Sequence, residues 1–328
     1  MSKDKGVESV KDKSVVVTGG LGFIGSHITD RLLEDGNTVT VIDDCSTGSI
    51  NNLTMKDHEN LEIIKGDIRK LNLEEIFKGK DYIFHQAALA SVEESIKNPI
   101  RCHEINATGT LKVLQAAKKC KVTKVLNAST SAVYGDNPNI PLNENETPKP
   151  LSPYAASKVS AESYCHVYTR CYGLKTVSLR YFNVFGPLQN PRSEYAAVIP
   201  RFINAILSGE KPIIYGDGNQ SRDFIYVEDI VEANLLLAES EFTGPINIAT
   251  GESITINKLL GLIEDILDVD IKPIYHDPRP GDIKESIADI SLLESLGFKK
   301  ITKLKNGLEK TIEWYKEYKP RLVDYPTR

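Results

Sequence analysis

The chain has 328 residues, of which 41% are hydrophobic and 26% are charged, and its formal net charge at pH 7 is −5. This length allows a large buried core, whereas the negative charge argues against nucleic acid or an anionic membrane as a general partner. No apolar run approaches the roughly 18 residues of a membrane span, and the N-terminus lacks an apolar signal core, so we expect a cytoplasmic protein. The five cysteines are dispersed without C-x-x-C spacing, and we expect neither a disulfide nor a metal site.

The first element of the chain is an apolar strand that runs into a glycine-spaced turn and then into an amphipathic helix ending at Gly36. Gly19 and Gly22 allow the backbone to turn tightly and to approach a pyrophosphate, and Gly25 permits close packing of the helix. The helix N-terminus supplies free N–H donors and the positive end of the helix dipole. This pattern predicts a dinucleotide-binding turn.

The second strand, residues 38–43, ends in the carboxylate of Asp43, 24 residues after Gly19. A carboxylate at this place accepts hydrogen bonds from the ribose hydroxyls of the adenosine, and it repels a 2′-phosphate. The sequence therefore predicts NAD rather than NADP as the cofactor.

Further along the chain, short apolar segments alternate with helix-length segments, which predicts a doubly wound parallel α/β sheet of the Rossmann type. The predicted strands of this sheet include residues 61–64, 82–84, 122–126 and 176–179. After about Gly186 the pattern changes to shorter strands (213–215, 246–249, 272–275) mixed with helices (198–207, 227–238, 256–267, 304–318). We predict a cofactor-binding domain over residues 1–186, to which segments near 216–250 return, and a smaller α/β substrate lobe over residues 187–328.

Tyr154 and Lys158 are the candidate catalytic pair, because residues four apart lie on one face of a helix. An adjacent cation favours the phenolate, so the spacing predicts that Lys158 makes Tyr154 a usable general base near neutral pH. The hydroxyls of Ser129, Thr130 and Ser131 cluster at the end of the preceding strand, before a proline-rich loop, and form a second candidate catalytic element.

These features together resemble the extended short-chain dehydrogenase/reductase family, and within it the nucleotide-sugar 4-epimerases, especially those acting on UDP-N-acetylhexosamines. The resemblance covers nearly the whole chain. The motifs that carry it follow the family's order: the three-residue glycine spacing, residues 66–69 (Gly-Asp-Ile-Arg), 85–88 (His-Gln-Ala-Ala), Asn106, 129–135, the Tyr-x-x-x-Lys pair, 180–187 and 222–224.

The resemblance implies that Thr130 is the catalytic hydroxyl, and that Tyr154 takes the proton of the sugar's 4-hydroxyl while carbon 4 is oxidised by NAD. Return of the hydride to the other face of the 4-keto sugar then inverts that carbon, and the cofactor stays tightly bound. In the related 4,6-dehydratases an acidic pair follows this Thr, and in the related UDP-glucuronate decarboxylases a Glu stands two residues after it, whereas this chain has Ser131 and Ala132. Lys158 is also expected to hydrogen-bond the nicotinamide ribose.

By the same resemblance, the C-terminal lobe binds the UDP-sugar, with Arg222 and Arg279 on the diphosphate and Ser286 leaving space for an N-acetyl group. The remaining expected substrate contacts are Ser91, Asn183, Gln189, Ala197, Val198, Tyr215 and Asp282. The remaining expected cofactor contacts are Phe23, Ile24, Asp67, Ile68, Gln86, Ala87, Ala88, Asn106 and Tyr181. Relatives pair the helices around residues 100–118 and 154–172 across a two-fold axis, so we also expect a homodimer.

The resulting prediction is reversible 4-epimerisation of UDP-N-acetylglucosamine and UDP-N-acetylgalactosamine, extending to UDP-glucose and UDP-galactose. Two alternatives stay open at this point: a UDP-glucuronate 4-epimerase, and a redox-sensing protein that binds NAD without turnover. The second would have no need for Thr130, Tyr154 and Lys158 in register.

Overall fold

The computed structural model describes residues 10–191, 197–278, 283–299 and 302–318. Its strands are β1 (Ser14–Thr18), β2 (Thr38–Asp43), β3 (Leu61–Lys65), β4 (Tyr82–His85), β5 (Lys124–Thr130), β6 (Lys175–Tyr181), β7 (Asn183–Phe185), β8 (Ile213–Tyr215), β9 (Ser221–Arg222), β10 (Phe224–Tyr226), β11 (Gly244–Ile248), β12 (Ile254–Thr255), β13 (Ile274–His276) and β14 (Glu285–Ser286). Its α-helices are α1 (Phe23–Glu34), α2 (Leu73–Phe77), α3 (Val92–Lys97), α4 (Pro99–His103), α5 (Gly109–Lys119), α6 (Pro153–Tyr172), α7 (Val198–Leu207), α8 (Val227–Glu239), α9 (Ile256–Leu267), α10 (Ser291–Ser295) and α11 (Leu304–Tyr318).

A seven-stranded parallel sheet in the order β11-β6-β5-β4-β1-β2-β3 forms the centre of the molecule. The order reverses between β1 and β4, as in dinucleotide-binding folds, where ligands bind outside the carboxyl ends of the strands. Apolar residues cover both faces of the sheet in two separate core clusters, because a parallel sheet is buried by helices on both sides. The predicted doubly wound fold is confirmed.

Strand β5 differs from its predicted bounds of residues 122–126, since it begins at Lys124 and continues to Thr130. The second half of the strand contains polar residues, including Asn127 and Ser129, so the apolar pattern stops before the strand does. Hydrogen bonding to β4 on one side and β6 on the other keeps this segment extended.

The segment after Gly186 contributes to two layers. Helix α8 packs against α1, and β11 adds the seventh strand beside β6, so this part of the chain lies with the central sheet. Helices α7, α9 and α11 pack around a separate core that includes Phe185, Phe202 and Tyr315. The small sheets β12-β9-β14 and β13-β8 complete this second lobe. The division into two domains at residue 186 stays a prediction.

Candidate active site

The carboxyl ends of the central strands bring the predicted cofactor and catalytic residues to one edge of the sheet. Thr18 ends β1, Asp43 ends β2, and His85 ends β4, while Thr130 of β5 lies opposite Tyr181 of β6 in the strand register. Because all these strands are parallel, their last residues share that edge.

The glycine turn between β1 and α1 has the geometry that an approaching pyrophosphate needs. Gly19 has a φ of +70°, and a Cβ there would lie 2.6 Å from the backbone nitrogen of Ala87. A Cβ on Gly25 would collide with the carbonyl oxygen of Gly19. Gly22 is the N-cap of α1 and gives it no side-chain cap, so the first N–H groups of the helix, from Phe23 and Ile24 onward, are available to an anion. These residues fit a dinucleotide cofactor.

Asp43 lies beside this turn, with its side chain almost fully buried. Its Oδ2 accepts a hydrogen bond from the Leu21 N–H at 3.0 Å, and its Oδ1 accepts one from the Cys45 N–H at 2.8 Å. Burial raises the pKa of the Asp43 carboxyl, and the two backbone N–H groups oppose that rise. Each oxygen keeps a second lone pair with which it could accept a ribose hydroxyl.

The other predicted cofactor residues include two groups that follow strands β3 and β4. Asp67 forms a two-point ion pair with Arg69, with a shortest distance of 2.6 Å, which lowers the pKa of Asp67. Ile68 is buried against Gly109 of α5. Gln86, Ala87 and Ala88 follow β4 directly and are partly exposed.

Tyr181 and Asn106 make their hydrogen bonds within the protein. The Tyr181 hydroxyl is bonded by the Gln86 Nε2 at 3.1 Å and by the Asn234 Nδ2 at 2.9 Å. Asn106 lies in a π-helical turn, Glu104–Thr108, where its Nδ2 donates to the Leu89 carbonyl at 3.0 Å and to Ser157 Oγ at 2.9 Å. Its Oδ1 accepts the Leu89 N–H, so the Asn106 carboxamide is engaged at both ends by the protein.

Tyr154 is held at the start of helix α6. Ser152 caps this helix by accepting the Ala155 N–H, and Pro153 occupies the first helical position, which needs no N–H donor. The Tyr154 N–H donates to Ser95 Oγ at 3.1 Å, which joins α6 to α3. The Thr130 side chain favours the ionised form of the Tyr154 phenol, since it lowers the pKa of that group.

Burial acts on the pKa values of both Tyr154 and Lys158. Burial raises the pKa of Tyr154 to about 12, and the hydrogen bond from Thr130 opposes that rise. Lys158 donates from Nζ to the Ala128 carbonyl at 2.8 Å, and its Nζ lies 6.0 Å from the centre of the Tyr154 ring. Burial lowers the pKa of Lys158 to about 8. The Lys158 ammonium is thus bonded to a strand carbonyl, and the expectation that it lowers the pKa of Tyr154 stays a prediction.

The predicted substrate residues Arg222 and Ser286 lie on neighbouring strands. They are opposite each other in the parallel pair β9–β14, and Ser286 is buried. Asn183, at the start of β7, donates from Nδ2 to the carbonyl of Asp223 at 2.9 Å. The Asp223 carboxylate accepts hydrogen bonds from the N–H groups of Thr250 and Gly251, just after β11, which holds the backbone next to Arg222 at the edge of the central sheet. The Arg222 guanidinium itself donates to the Ser221 carbonyl at 2.8 Å.

Other predicted substrate residues are more widely spread. Ser91 caps α3 by accepting the Glu94 N–H at 3.0 Å. Gln189 donates from Nε2 to the Val184 carbonyl, and its Oε1 is buried without a hydrogen-bond partner in the described part of the chain. Three of the expected substrate contacts lie on or beside helix α7: Ala197 is its N-cap, Val198 is its first residue, and the Arg201 guanidinium of the same helix lies 5.4 Å from the centre of the Tyr215 ring. Arg279 and Asp282 lie outside the described residues.

A comparison with protein-family models matches residues 15–249 to the NAD dependent epimerase/dehydratase family. This match covers most of the chain and includes the glycine turn, Asp43, Thr130 and the Tyr154–Lys158 pair. The chain belongs to that family.

Similar solved structures agree with this epimerase family assignment. A UDP-N-acetylglucosamine 4-epimerase from Methanobrevibacter ruminantium, in complex with UDP-N-acetylmuramic acid, is 55% identical with a TM-score of 0.92, over 94% of this chain and 99% of that one. A UDP-glucose 4-epimerase from Thermotoga maritima, with UDP-glucose, is 39% identical with a TM-score of 0.88, and the match covers 93% of this chain and 99% of that one. A UDP-glucuronic acid 4-epimerase from Bacillus cereus is 31% identical with a TM-score of 0.87, and the match covers 93% of this chain and 99% of that one. That structure is of a tyrosine-to-phenylalanine variant in complex with a fluorinated UDP-glucuronic acid and NAD.

The resemblance to nucleotide-sugar 4-epimerases and the expectation of an NAD-dependent enzyme are thereby confirmed. Among the described residues, no helix is both long and apolar enough to cross a membrane.

Several residues of this epimerase site were not predicted from the sequence. Ser95 and Ser157 support the backbone of Tyr154, since Ser157 Oγ donates to the Tyr154 carbonyl at 2.7 Å. His85 is buried between Thr18 and Thr110, with 2.7 Å from its Nδ1 to Thr18 Oγ1 and 3.0 Å from its Nε2 to Thr110 Oγ1. Small hydroxyl residues on helix faces carry little sequence signal, whereas His85 stood within a family motif without an assigned role.

Proposed function

We propose that this protein catalyses the reversible 4-epimerisation of UDP-N-acetylglucosamine and UDP-N-acetylgalactosamine, and that it also accepts the non-acetylated pair. One observation carries the proposal: Thr130 ends β5 at the sheet edge that also holds the glycine turn, and its side chain acts on the Tyr154 phenol so as to favour the phenolate. A general base and a hydroxyl donor beside a dinucleotide site are the groups that alcohol oxidation requires.

The chain's own residues have distinct tasks in this reaction. Tyr154 accepts the proton of the sugar's 4-hydroxyl and returns it after the other face of carbon 4 has been presented. Thr130 holds that hydroxyl and stabilises the phenolate, as its effect on the pKa of Tyr154 indicates. Bound NAD would supply the reversible oxidation at carbon 4. Lys158 is buried one helical turn after Tyr154, and its Nζ donates to the Ala128 carbonyl near the end of β5.

The residues after Thr130 favour epimerisation over elimination. Ser131 and Ala132 begin the short 3₁₀ turn Ser131–Tyr134, which the Thr130 side chain caps by accepting the Ala132 N–H at 3.2 Å. Neither residue carries a carboxyl group, so the acid and base that remove water in dehydratases are not supplied from these two positions.

Epimerisation also requires that the nucleotide is held while the sugar turns. Arg222 is our candidate for the diphosphate, because a guanidinium group binds phosphate oxygens through two donors. The rest of the nucleotide would be held by the other expected substrate contacts, namely Arg279, Asp282, Asn183, Ala197, Val198 and Tyr215. The bonds of the Asp223 carboxylate to the N–H groups of Thr250 and Gly251 fix the backbone next to Arg222, which supports a fixed position of the diphosphate.

Two observations support an N-acetylated sugar. Ser286 is a small buried residue opposite Arg222, where a larger side chain would reduce the room beside the sugar. The buried Gln189 Oε1 is an acceptor that a substrate N–H or O–H could satisfy. The 55% identity to a UDP-N-acetylglucosamine 4-epimerase agrees with both.

A substitution at Ser286 tests this assignment of the substrate. In Ser286→Tyr, kcat/KM for UDP-N-acetylglucosamine should fall by about 10- to 200-fold, because the ring fills the space of the acetamido group. The value for UDP-glucose should stay within about threefold of wild type, and Ser286→Ala should behave as wild type toward both. Equal losses on both substrates would contradict the assignment of Ser286.

The similarity to the Bacillus cereus enzyme makes UDP-glucuronate 4-epimerisation the second candidate. The same assay includes UDP-glucuronate as a substrate of the wild type. A kcat/KM for UDP-glucuronate above that for UDP-N-acetylglucosamine would favour this second function.

A further inference from the structure

Helix α6 carries a third buried polar residue on the face that holds the catalytic pair. Glu162 follows Lys158 by four residues, as Lys158 follows Tyr154, so the three side chains lie along one side of the helix. The Glu162 side chain is 9% exposed and points toward the central sheet, where it pairs with a buried arginine. The proposed reaction gives this carboxylate no chemical task.

The Glu162 carboxylate joins helix α6 to two neighbouring strands. Its Oε1 accepts the Ser129 hydroxyl at 2.6 Å, and Ser129 directly precedes Thr130 in β5. Arg180 of β6 donates from Nε to Oε1 at 3.0 Å and from Nη2 to Oε2 at 2.8 Å. A two-point pair of this kind fixes orientation as well as distance.

The other side of the Arg180 guanidinium holds the segment that follows Thr130. Its Nη1 donates to the Tyr134 hydroxyl at 3.0 Å and to the Glu144 carbonyl at 3.2 Å. The Tyr134 hydroxyl donates onward to Asn247 Oδ1 of β11 at 2.6 Å. Tyr134 ends the 3₁₀ turn that Thr130 caps, so one guanidinium is bonded both to the helix of Tyr154 and to the turn of Thr130.

We propose that Glu162 and Arg180 form a positioning pair that sets the distance between the Tyr154 phenol and the Thr130 hydroxyl. This inference rests on the proposed 4-epimerase function. Without the pair, the bond from Lys158 to the Ala128 carbonyl would still join α6 to β5, but the bonds of Glu162 to Ser129 and of Arg180 to Tyr134, on either side of Thr130, would be lost. A misplacement of about 1 Å in such a site can lower a rate by about 100-fold.

If the pair only stabilises the fold, a variant that lacks it but stays folded should keep the kcat of wild type. A buried ion pair can often be replaced by apolar residues of similar volume without loss of stability, whereas removal of one partner leaves an unpaired buried charge. The double variant Glu162→Leu with Arg180→Met therefore preserves packing while it removes the hydrogen bonds to Ser129 and Tyr134. Ser129→Ala is a milder second variant, because Glu162 keeps both bonds from Arg180.

The experiment measures kcat, KM, bound NAD and Tm for wild type, both variants and Ile263→Ala. Ile263 is fully buried on α9, which packs against α7 and α11, so its truncation serves as a stability control. In the double variant, we expect kcat to fall by about 10- to 100-fold, while KM and bound NAD stay within about twofold of wild type. Ser129→Ala should lower kcat by roughly threefold to tenfold, and Ile263→Ala should lower Tm with kcat unchanged.

The outcomes separate this inference from the proposed function. An NAD-loaded wild type without epimerase activity would overturn the function, whatever the variants do. An active wild type together with a folded double variant of wild-type kcat would overturn the positioning role. If the double variant does not fold, Ser129→Ala decides, and an unchanged kcat in that variant rejects the inference.

Discussion

Burial and the Thr130 side chain act in opposite directions on the pKa of Tyr154. Burial raises the pKa of the phenol to about 12, Lys158 is bonded to a strand carbonyl, and the hydrogen bond from Thr130 lowers the pKa. A phenolate that accepts this bond is stabilised more than the neutral phenol. We therefore expect residue 130 to affect the pH range of catalysis.

Thr130→Val should raise the pKa of Tyr154 further, because the donor is removed while the shape of the side chain is nearly kept. The acid limb of kcat/KM against pH should move to higher pH, and activity below the limb should fall by roughly 10- to 150-fold. Thr130→Ser keeps the donor and should leave the limb in place. An unchanged limb in the valine variant would show that Thr130 does not stabilise the phenolate.

At the scale of elements, the end of β2 and the glycine turn form one unit, since Asp43 is bonded to the Leu21 N–H within that turn. Asp43→Asn keeps an acceptor for a backbone N–H but removes the charge. Loss of a charge-assisted hydrogen bond should weaken NAD binding by roughly 10- to 150-fold and relax discrimination against NADP. Asp43→Ala should weaken NAD at least as much, because the turn also loses its support.

Calorimetry with NAD and NADP on cofactor-stripped protein measures these affinities. Mass spectrometry of the cofactor released from denatured wild type gives an independent check. NADP in that release would place Asp43 away from the ribose.

The sequence predicted these elements well where local chemistry determines them. The glycine turn, helix α1 and the bounds of α7 and α9 follow from spacing and apolar periodicity, which depend on neighbours in the chain. The end of β5 did not follow, because Asn127 and Ser129 are polar and are held in the sheet by pairing with distant strands. The bond from Lys158 to Ala128 and the Glu162–Arg180 pair are also long-range contacts that helix spacing alone cannot indicate.

At the scale of the whole molecule, the helices beside the active site carry an exposed apolar surface. Its most exposed members on α3, α4 and α6 include Ile96 (62% exposed), Ile100 (76%), Val167 (41%) and Tyr172 (51%). Helices α3 and α4 both pack against α6, so these exposed residues lie on three adjoining helices. We propose that this surface pairs with a second copy of the chain, since monomers rarely expose such patches.

Light scattering at micromolar concentration should therefore give the mass of a dimer. Ile100→Glu combined with Val167→Glu should shift the protein toward monomer, because charges would be buried at the interface. Ile274→Glu, at a residue of β13 that is 44% exposed, serves as the matched control and should remain dimeric. A monomeric wild type would reject the proposal.

The central claim is that Tyr154 epimerises a UDP-N-acetylhexosamine with a cofactor that stays on the protein. The most direct measurement is proton NMR of purified protein incubated with UDP-N-acetylglucosamine and no added NAD, with Tyr154→Phe as the control. Wild type should produce UDP-N-acetylgalactosamine until equilibrium, whereas Tyr154→Phe should retain NAD and lose several orders of magnitude in rate, because the base is removed and the ring remains. An NAD-loaded wild type that leaves the substrate unchanged, or near-normal turnover by Tyr154→Phe, would contradict the account.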